Sequence, residues 1–337
     1  MHTNRRQFLA ACGLLGLGAA VNSALPVVAR AARVDKEQSV HQTRLMMGTI
    51  VTITAMHASQ TQGEEAVGRA FDEIARLERV LSRFDPASPV SALNVDGKVS
   101  GIPSELAEVL YRAQRFGSLS DHAFDITVLP VVDLLHAKQN REGALDISEA
   151  ELQHALSLVD HTALAVSGRN VRLGREGMGI TLDGIAKGYI VDKASAILAA
   201  HGATSHMINA GGDIRTMGEK AKGTPWTIAI QDPTGSTDPI AVISMRTGAI
   251  ATSGGYQVFY DKQHLFSHLI SPATGKSPNA VASVSITAPS VMEADALSTA
   301  VSIMQARKGL QFINSMPERE AFIISRTGER FASHRWG

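Results

Sequence analysis

The chain has 337 residues, of which 44% are hydrophobic and 19% charged, and its 32 Lys and Arg residues balance 32 Asp and Glu residues. This length and composition exclude intrinsic disorder, collagen and a coiled coil, and they predict one or two compact domains with a large core. The zero net charge, without any run of five like charges, excludes the basic footprint of nucleic-acid binders and polybasic membrane binders. The expected partner is therefore a small molecule or a protein.

The beginning of the chain has the pattern of a twin-arginine export signal. Arg5-Arg6 is followed by an apolar run rich in Gly, Ala and Leu that extends to about Val21, and Ala29-Arg30-Ala31 offers a small-x-small cleavage site. The alternative, an N-terminal helix of the mature protein, is disfavoured because no helical period is visible in the run. We therefore expect a signal peptide over 1–31, one domain over 32–337 and a periplasmic protein.

The single cysteine, Cys12, lies inside the expected signal. Leu9-Ala10-Ala11-Cys12 resembles a lipid-attachment box, but the cysteine precedes the apolar run instead of closing it, so a membrane-associated lipoprotein is the less favoured alternative. The run is also short for a membrane span. Cleavage near Ala31 would leave a mature chain without cysteine, which excludes thiol nucleophiles and cysteine-ligated metal sites.

Helices and strands alternate along the rest of the chain without a repeat. Apolar alternation predicts a strand over 47–57, helical spacing predicts helices over 64–81 and 104–116, and Ser148 with Glu151 forms a capping box for another helix. The remaining expected elements are a hairpin turn at 167–170, helices over 184–200, 290–304 and 307–314, and strands over 205–208, 226–231, 240–245, 265–270, 281–287 and 321–325. Runs of strands after runs of helices favour an α+β fold, with mixed or antiparallel sheets and packed helices.

The helix expected after Ser290 carries the most informative pair of side chains. Small and apolar residues surround its axis, which predicts burial on most sides and requires a partner for any carboxylate there. Asp295 and Thr299 are four residues apart, so their Cβ atoms lie about 6 Å from each other on one helix face. Both are within reach of one hard cation with oxygen ligands. The alternative is an exposed helix acid beside an uninvolved threonine.

Residues 181–189 are expected to open a helix directly after a strand. Gly184 lets the backbone approach a ligand, free N–H groups at the helix start attract phosphate, and Lys187 adds a positive charge in the first turn. A lysine there opposes the helix dipole and needs a local reason. The segment matches neither the dinucleotide glycine motif nor a Walker loop, so a helix start without an anion is an equally good interpretation.

Two other segments are candidates for the site. Gly211-Gly212, directly before Asp213, predicts a tight turn or a close approach to a ligand, and the turn is the simpler interpretation. His264 and His268 would stand about 13 Å apart on one strand, so a shared metal is disfavoured. One of them is a candidate base near a phosphoryl group, and the alternative for each is a structural histidine. Residues 251–255 lack the first glycine of a nucleophile elbow, which disfavours serine hydrolase chemistry.

Eight short segments occur in one order over nearly all of the mature chain. They are Met47-Gly48-Thr49, 81–84 with 91–94, 123–127, 183–189, 209–213, 251–256, 268–275 and 294–299. Each is weak alone, but the ordered set is highly specific. Together these segments resemble the ApbE-type flavin transferases, the FAD:protein FMN transferases.

The resemblance implies a role for particular residues. The residues implied to hold FAD are Met47, Phe84, Ala123, Phe124, Asp125, Thr181, Lys187 and Ile270, with Lys187 near the phosphates and the Ile270 backbone against the flavin portion. The implied Mg²⁺ ligands are the Gly184 carbonyl, Asp295 and Thr299. The implied catalytic residues are His268, as the base, and Lys187.

Two positions depart from the family pattern. The Asp that commonly precedes the helix is Thr181 here, and an acid appears two residues later as Asp183. A second frequent Asp is replaced by Ser271. A carboxylate near the metal is then missing, so we expect weaker binding of magnesium.

The resemblance implies Mg²⁺-dependent transfer of FMN from FAD, through a phosphoester bond, to a Thr or Ser hydroxyl of an exported or membrane-anchored flavoprotein, with release of AMP. The implied acceptor carries a Ser/Thr-Gly-Ala-Ser/Thr-like sequence and belongs to an electron-transfer complex. Two alternatives stay open. One is hydrolysis of FAD to FMN and AMP, and the other is a flavin-binding or delivery protein without chemistry.

Overall fold

A computed structural model describes residues 37–138, 146–254 and 269–336. The expected signal over 1–31 lies outside these ranges, as do His264 and His268, so their predicted roles stay predictions. Within the described ranges, no helix combines the length and the apolar character needed to cross a membrane.

The described residues form strands and helices in the following order. The strands are β1 (Gln38–Met46), β2 (Thr49–His57), β3 (Lys98–Ser100), β4 (Leu164–Ser167), β5 (Asn170–Leu173), β6 (Ser205–Ala210), β7 (Asp213–Met217), β8 (Trp226–Ile230), β9 (Ala241–Met245), β10 (Gly248–Gly254), β11 (Val281–Ala288), β12 (Glu320–Ser325) and β13 (Arg330–Ala332). The helices are α1 (Gln60–Leu81), α2 (Pro89–Asp96), α3 (Ser104–Leu119), α4 (Leu129–Lys138), α5 (Glu149–Leu156), α6 (Ala186–Ala200), α7 (Val291–Ile303) and α8 (Ala306–Asn314). Short 3-10 turns cover Ile126–Val128 and His161–Ala163.

Eight strands form one central sheet in the order β1-β2-β6-β7-β10-β11-β12-β13, and every neighbouring pair is antiparallel. The strands β3-β5-β4 form a small separate sheet, and β8 and β9 form a hairpin. Helix α1 packs on β1 and β2, α6 on β6 and β7, and α7 on β10 and β11. The predicted α+β class with antiparallel sheets and packed helices is confirmed.

Apolar side chains cover the middle of the central sheet on both faces. The helix-covered face is the main core, where Phe71 of α1 and Val301 of α7 are fully buried. On the other face, Ile214 and Ile250 of the sheet pack with Ile228 of the β8–β9 hairpin. Burial of this kind is the main favourable term in folding, so the sheet is a rigid base for the helix starts above it.

Local sequence signals predicted several elements correctly. Ser148 and Glu151 form both hydrogen bonds of the capping box at the start of α5, and Ser290 caps α7 by accepting a hydrogen bond from the Glu293 N–H. The expected strand over 265–270 is not seen where it can be examined. Its last two residues belong to no strand, and the remainder lies outside the described residues.

Candidate functional site

The start of α6 packs closely against the start of α7 and is hydrogen-bonded to it. Gly188 lies so close to α7 that a Cβ atom there would sit 2.5 Å from the Val291 carbonyl oxygen. One turn further along α6, the Asp192 carboxylate accepts hydrogen bonds from two N–H groups at the start of α7, at 3.0 and 2.9 Å. The Gly188 N–H donates to Asp295 Oδ2 at 3.1 Å. These contacts direct Lys187 and Asp295 into one cavity.

A two-residue turn between β6 and β7 brings a third charged group to the same place. Ala210 pairs with Asp213 across the turn, and Gly211 and Gly212 have φ values of +62° and +101°, which favour glycine. A side chain on Gly211 would overlap Thr49 Oγ1. The predicted turn is confirmed, and its effect is to place the buried Asp213 carboxylate at the beginning of β7.

Lys187, Asp213 and Asp295 form a charge cluster in which both carboxylates are buried and Lys187 is partly exposed. Lys187 Nζ lies 3.2 Å from Asp213 Oδ2. Burial raises the pKa of Asp213, and burial together with repulsion from Asp213 raises the pKa of Asp295 well above its ordinary value. Burial alone would lower the pKa of Lys187, but the two carboxylates outweigh it and the pKa is raised. Two carboxylates facing one ammonium group leave an excess of negative charge when all three are ionised.

The donor atoms around this cluster fit a hard cation. Asp213 Oδ2 is buried and lies 3.2 Å from the Lys187 ammonium group. The Gly184 backbone lies against Thr299, since a Cβ on that glycine would be 2.9 Å from Thr299 Oγ1. Asp295, Thr299 and the Gly184 carbonyl offer only oxygen, the ligand type that Mg²⁺ prefers. A dication there would also offset the excess negative charge of the cluster.

Most of the predicted site residues line one cavity around this cluster. The predicted residues in its wall are Ala123, Phe124, Asp125, Thr181, Gly184, Lys187, Ile270, Asp295 and Thr299. The structure therefore brings together segments that lie far apart in the sequence.

Met47 and Phe84 line a second cavity, which shares Asp183 and Lys187 with the first. Met47 lies in the two-residue turn between β1 and β2, with a φ of +51°. The Phe84 ring is 70% exposed, and the Arg83 guanidinium lies 4.1 Å from its centroid. Arg83 Nε also bonds Asp183 Oδ2 at 3.1 Å. The two cavities thus meet at a pair of charged side chains.

The expectation of free N–H groups at the start of α6 is wrong for two of them. The Ala186 N–H donates to the Leu182 carbonyl at 2.8 Å, and the Gly188 N–H is taken by Asp295. Positive charge at this helix start is therefore supplied by the Lys187 side chain. The local reason for a lysine at this position is its ion pair with Asp213.

The two residues that depart from the family pattern, Thr181 and Ser271, lie differently relative to the first cavity. Thr181 lines the first cavity and its N–H donates to the Ile126 carbonyl at 2.8 Å, which ties the helix start to the 123–127 segment. Ser271 falls between two lining residues, Ile270 and Pro272, but does not itself line the cavity. The side chain at position 271 is therefore less directly placed for a ligand contact than the one at position 181.

Sequence reasoning missed the roles of two acids. No role for the Asp213 side chain itself is predicted beyond the turn or ligand approach of the two glycines before it, although an acid directly after two glycines at a strand end is well placed to face a ligand. No role for Asp192 is predicted from the sequence. Its signal is the spacing of four residues from Gly188, which puts both on the α6 face that contacts α7.

Known proteins resemble this chain over most of its length. A model of the ApbE family matches residues 47–323. The FAD:protein FMN transferase of Treponema pallidum is 30% identical over 83% of this chain and 83% of its own length. The protein of the same name from Haemophilus influenzae is 29% identical over 75% of this chain and 76% of its own length.

Solved structures show the same fold. The crystal structure of the ApbE protein from Thermotoga maritima superposes with a TM-score of 0.80 at 29% identity, covering 88% of this chain and 97% of that one. The flavin transferase ApbE from Vibrio cholerae superposes with a TM-score of 0.76 at 26% identity, covering 88% of this chain and 98% of its own. On the family match, the relatives and the fold, the chain belongs to the ApbE family.

Proposed function

We propose that the protein is a flavin transferase that moves FMN from FAD to a Thr or Ser hydroxyl of an acceptor protein and releases AMP. The observation that carries the proposal is the charge cluster of Lys187 with the buried Asp213 and Asp295, in which Lys187 lines both cavities. Its relatives with the name FAD:protein FMN transferase support the same activity.

The two cavities suit a ligand with two bulky ends and a charged centre. FAD has a flavin and an adenosine joined by a pyrophosphate. Lys187, which faces both cavities, would contact that pyrophosphate as a fixed positive charge. Phe84 stands at the exposed edge of the second cavity, where an aromatic ring can stack on a planar ring of the ligand. Asp183, held by Arg83, is placed to accept a hydrogen bond from the ligand.

The proposed reaction resembles phosphoryl transfer, because one bond to phosphorus forms and another breaks. The acceptor hydroxyl oxygen bonds to the phosphorus of the FMN half, and the bond from that phosphorus to the bridging oxygen of the AMP half breaks. The electron pair leaves with AMP, and the hydroxyl proton passes to a base, for which His268 is our candidate. Lys187 stabilises the negative charge that develops on the phosphoryl oxygens.

Mg²⁺ would be held by the Gly184 carbonyl, Asp295 and Thr299, and when bound it would neutralise charge on the pyrophosphate. Asp213 keeps Lys187 in place and adds to the negative field that attracts the ion. The Gly188 N–H fixes one carboxylate oxygen of Asp295, which leaves the other for a ligand. The start of α6 and the facing helix α7 would therefore hold both positive charges, the Lys187 ammonium group and Mg²⁺.

We also propose that the protein acts in the periplasm after twin-arginine export. The acceptor would then be an exported or membrane-anchored flavoprotein with a Ser/Thr-Gly-Ala-Ser/Thr-like sequence, in an electron-transfer complex. Replacing Arg5 and Arg6 together by lysine should retain the protein in the cytoplasm, because the pathway recognises the arginine pair and not its charge. Unchanged export of this double variant, measured by cell fractionation, would contradict the proposed route.

One assay separates transfer from the two alternative functions. The purified protein is incubated with FAD, Mg²⁺ and an acceptor domain carrying the Ser/Thr-Gly-Ala-Ser/Thr-like sequence, and intact mass and released AMP are read together. The proposal expects an acceptor mass gain of one FMN with one AMP released for each. AMP without a mass gain would indicate hydrolysis, and bound FAD without either product would indicate a binding protein. An acceptor with its target threonine changed to valine is the control.

A further inference from the structure

Asp125 belongs to a second cluster of polar side chains beside the wall of the first cavity. The cluster consists of His122, Asp125 and His161, whose ligating atoms all lie within 4.8 Å of one another. His122 Nδ1 is 3.1 Å from His161 Nδ1, and His161 Nδ1 is 3.4 Å from Asp125 Oδ2. The proposed function makes no use of either histidine.

With neutral imidazoles, only one of the two close contacts of His161 Nδ1, to His122 Nδ1 or to Asp125 Oδ2, can be a hydrogen bond. Each of the three atoms carries a lone pair when deprotonated, and one proton on His161 Nδ1 can be donated well to only one of its two neighbours. A cation at this point would contact all three lone pairs at once. The arrangement is therefore one that a metal ion completes.

The cluster is held in place by the surrounding fold. Asp125 Oδ1 accepts from the Thr127 N–H at 2.8 Å and from the Thr127 hydroxyl at 2.6 Å, while Oδ2 accepts from the His161 N–H at 3.1 Å. The His161 ring is buried against α3, where a Cβ on Gly117 would lie 3.1 Å from its Nε2. Outer hydrogen bonds of this kind orient the ligands of protein metal sites.

The open side of the cluster is His122. This residue is exposed and has a φ of +63°, a left-handed conformation that turns the loop after α3 back toward His161. An exposed ligand next to two buried ones gives an ion a route from solvent. It also lets the His122 ring adjust to the ion while the other two ligands stay fixed.

We propose that His122, Asp125 and His161 form a site for a zinc-class divalent transition metal. Zn²⁺ bonds of about 2.0 to 2.1 Å place tetrahedral ligands about 3.3 Å apart, close to the observed separations of 3.1 and 3.4 Å. Two imidazoles and one carboxylate suit zinc, and they suit Mg²⁺ poorly because Mg²⁺ prefers oxygen. Three protein ligands leave one position for water.

A metal at this site would join two segments that are distant in the chain. It would tie the loop that carries Ala123, Phe124 and Asp125 to the 3-10 turn His161–Ala163. Because that loop lines the first cavity, the ion would stiffen one wall of it. The inference does not depend on the proposed flavin transfer.

The test is metal binding to the full chain after removal of divalent ions. Zn²⁺ affinity is measured by competition with a chromophoric chelator, and Co²⁺ is used as a spectroscopic probe of geometry. We expect one ion of the zinc class bound per chain, with the strong visible absorption of tetrahedral Co²⁺. At a 100-fold excess over the Kd, Zn²⁺ should raise the Tm by about 4 °C for a chain of this size.

The His122→Asn variant should lower Zn²⁺ affinity by at least about 100-fold and abolish the tetrahedral Co²⁺ spectrum. Asparagine tolerates the left-handed backbone, so the fold should be kept, and circular dichroism checks this. The matched control is Asp121→Asn, which alters the adjacent exposed residue, also at a positive φ of 52°. Equal zinc affinity in His122→Asn and the wild type, an octahedral Co²⁺ spectrum, or an equal loss in the control would overturn the proposal.

Discussion

Replacing Gly188 by alanine tests the close contact on which the site depends. Alanine should favour helix α6 by about 1 kcal/mol through its higher propensity. Its Cβ, however, would lie 2.5 Å from the Val291 carbonyl oxygen and 2.7 Å from the Met292 Cα. Those distances are about 1 Å shorter than normal van der Waals contact. Because the opposing atoms are backbone, no side-chain rotation relieves the overlap and the two helices must separate.

Overpacking of this kind costs about 1 to 3 kcal/mol, or more where backbone must move. Because backbone opposes the new Cβ, we take the upper end of this range, about 3 kcal/mol; less the helix-propensity gain of about 1 kcal/mol, the free energy of unfolding of Gly188→Ala in urea titrations should be about 2 kcal/mol below that of the wild type. Lys187 and Asp295 lie on the separating helices, so flavin transfer should fall about 100-fold, as for a displacement of about 1 Å.

The matched control is Gly68→Ala in α1, where a Cβ meets no atom within 4 Å. The free energy of unfolding of this variant should rise by about 0.5 to 1 kcal/mol, and its activity should be unchanged. If Gly188→Ala matches this control in stability and activity, the assigned contact between α6 and α7 is wrong.

Three other substitutions test the buried carboxylate, the lysine near the pyrophosphate and the candidate base. Burial and Asp213 raise the pKa of Asp295, so the wild type without divalent ions should lose stability as the pH rises above 3.8, the ordinary pKa of an aspartate. Asp295→Asn should reduce this loss in urea titrations at acidic and neutral pH, and the raised pKa of Asp213 should account for part of the remainder. Lys187→Ala should weaken FAD binding and slow transfer together, measured by fluorescence titration and single-turnover rates. His268→Ala should lower the rate by about 10² to 10⁴ with FAD affinity unchanged, and alkaline pH should partly restore it; a wild-type rate would exclude it as the base.

Residue spacing was sufficient to predict a feature of the site when all of its residues belong to one helix or one turn. Asp295 and Thr299 share a face of α7 because four residues make about one helical turn, and both line the same cavity. The turn at Gly211 and Gly212 was equally readable, because both glycines adopt the positive φ that the turn requires.

Contacts between side chains that are distant in the sequence could not be predicted from residue spacing. The ion pair of Lys187 with Asp213 depends on how α6 lies over β6 and β7, which no local pattern encodes. The cluster of His122 with His161 joins a loop to a 3-10 turn through tertiary packing. Strand β1 was missed because it is an edge strand on which Val40 alone is buried, so it shows no apolar alternation.

We propose that FAD is cleaved at the cluster of Lys187, Asp213 and Asp295 with the help of Mg²⁺. The most direct test compares the wild type with Asp295→Asn over a Mg²⁺ series, at FAD concentrations that saturate each protein, with AMP release and FMN-labelled acceptor measured in the same samples. We expect the wild-type rate to rise with Mg²⁺ to a plateau, whereas the variant should still bind FAD but form neither product. Transfer by Asp295→Asn at the wild-type rate under limiting Mg²⁺ would contradict this proposal.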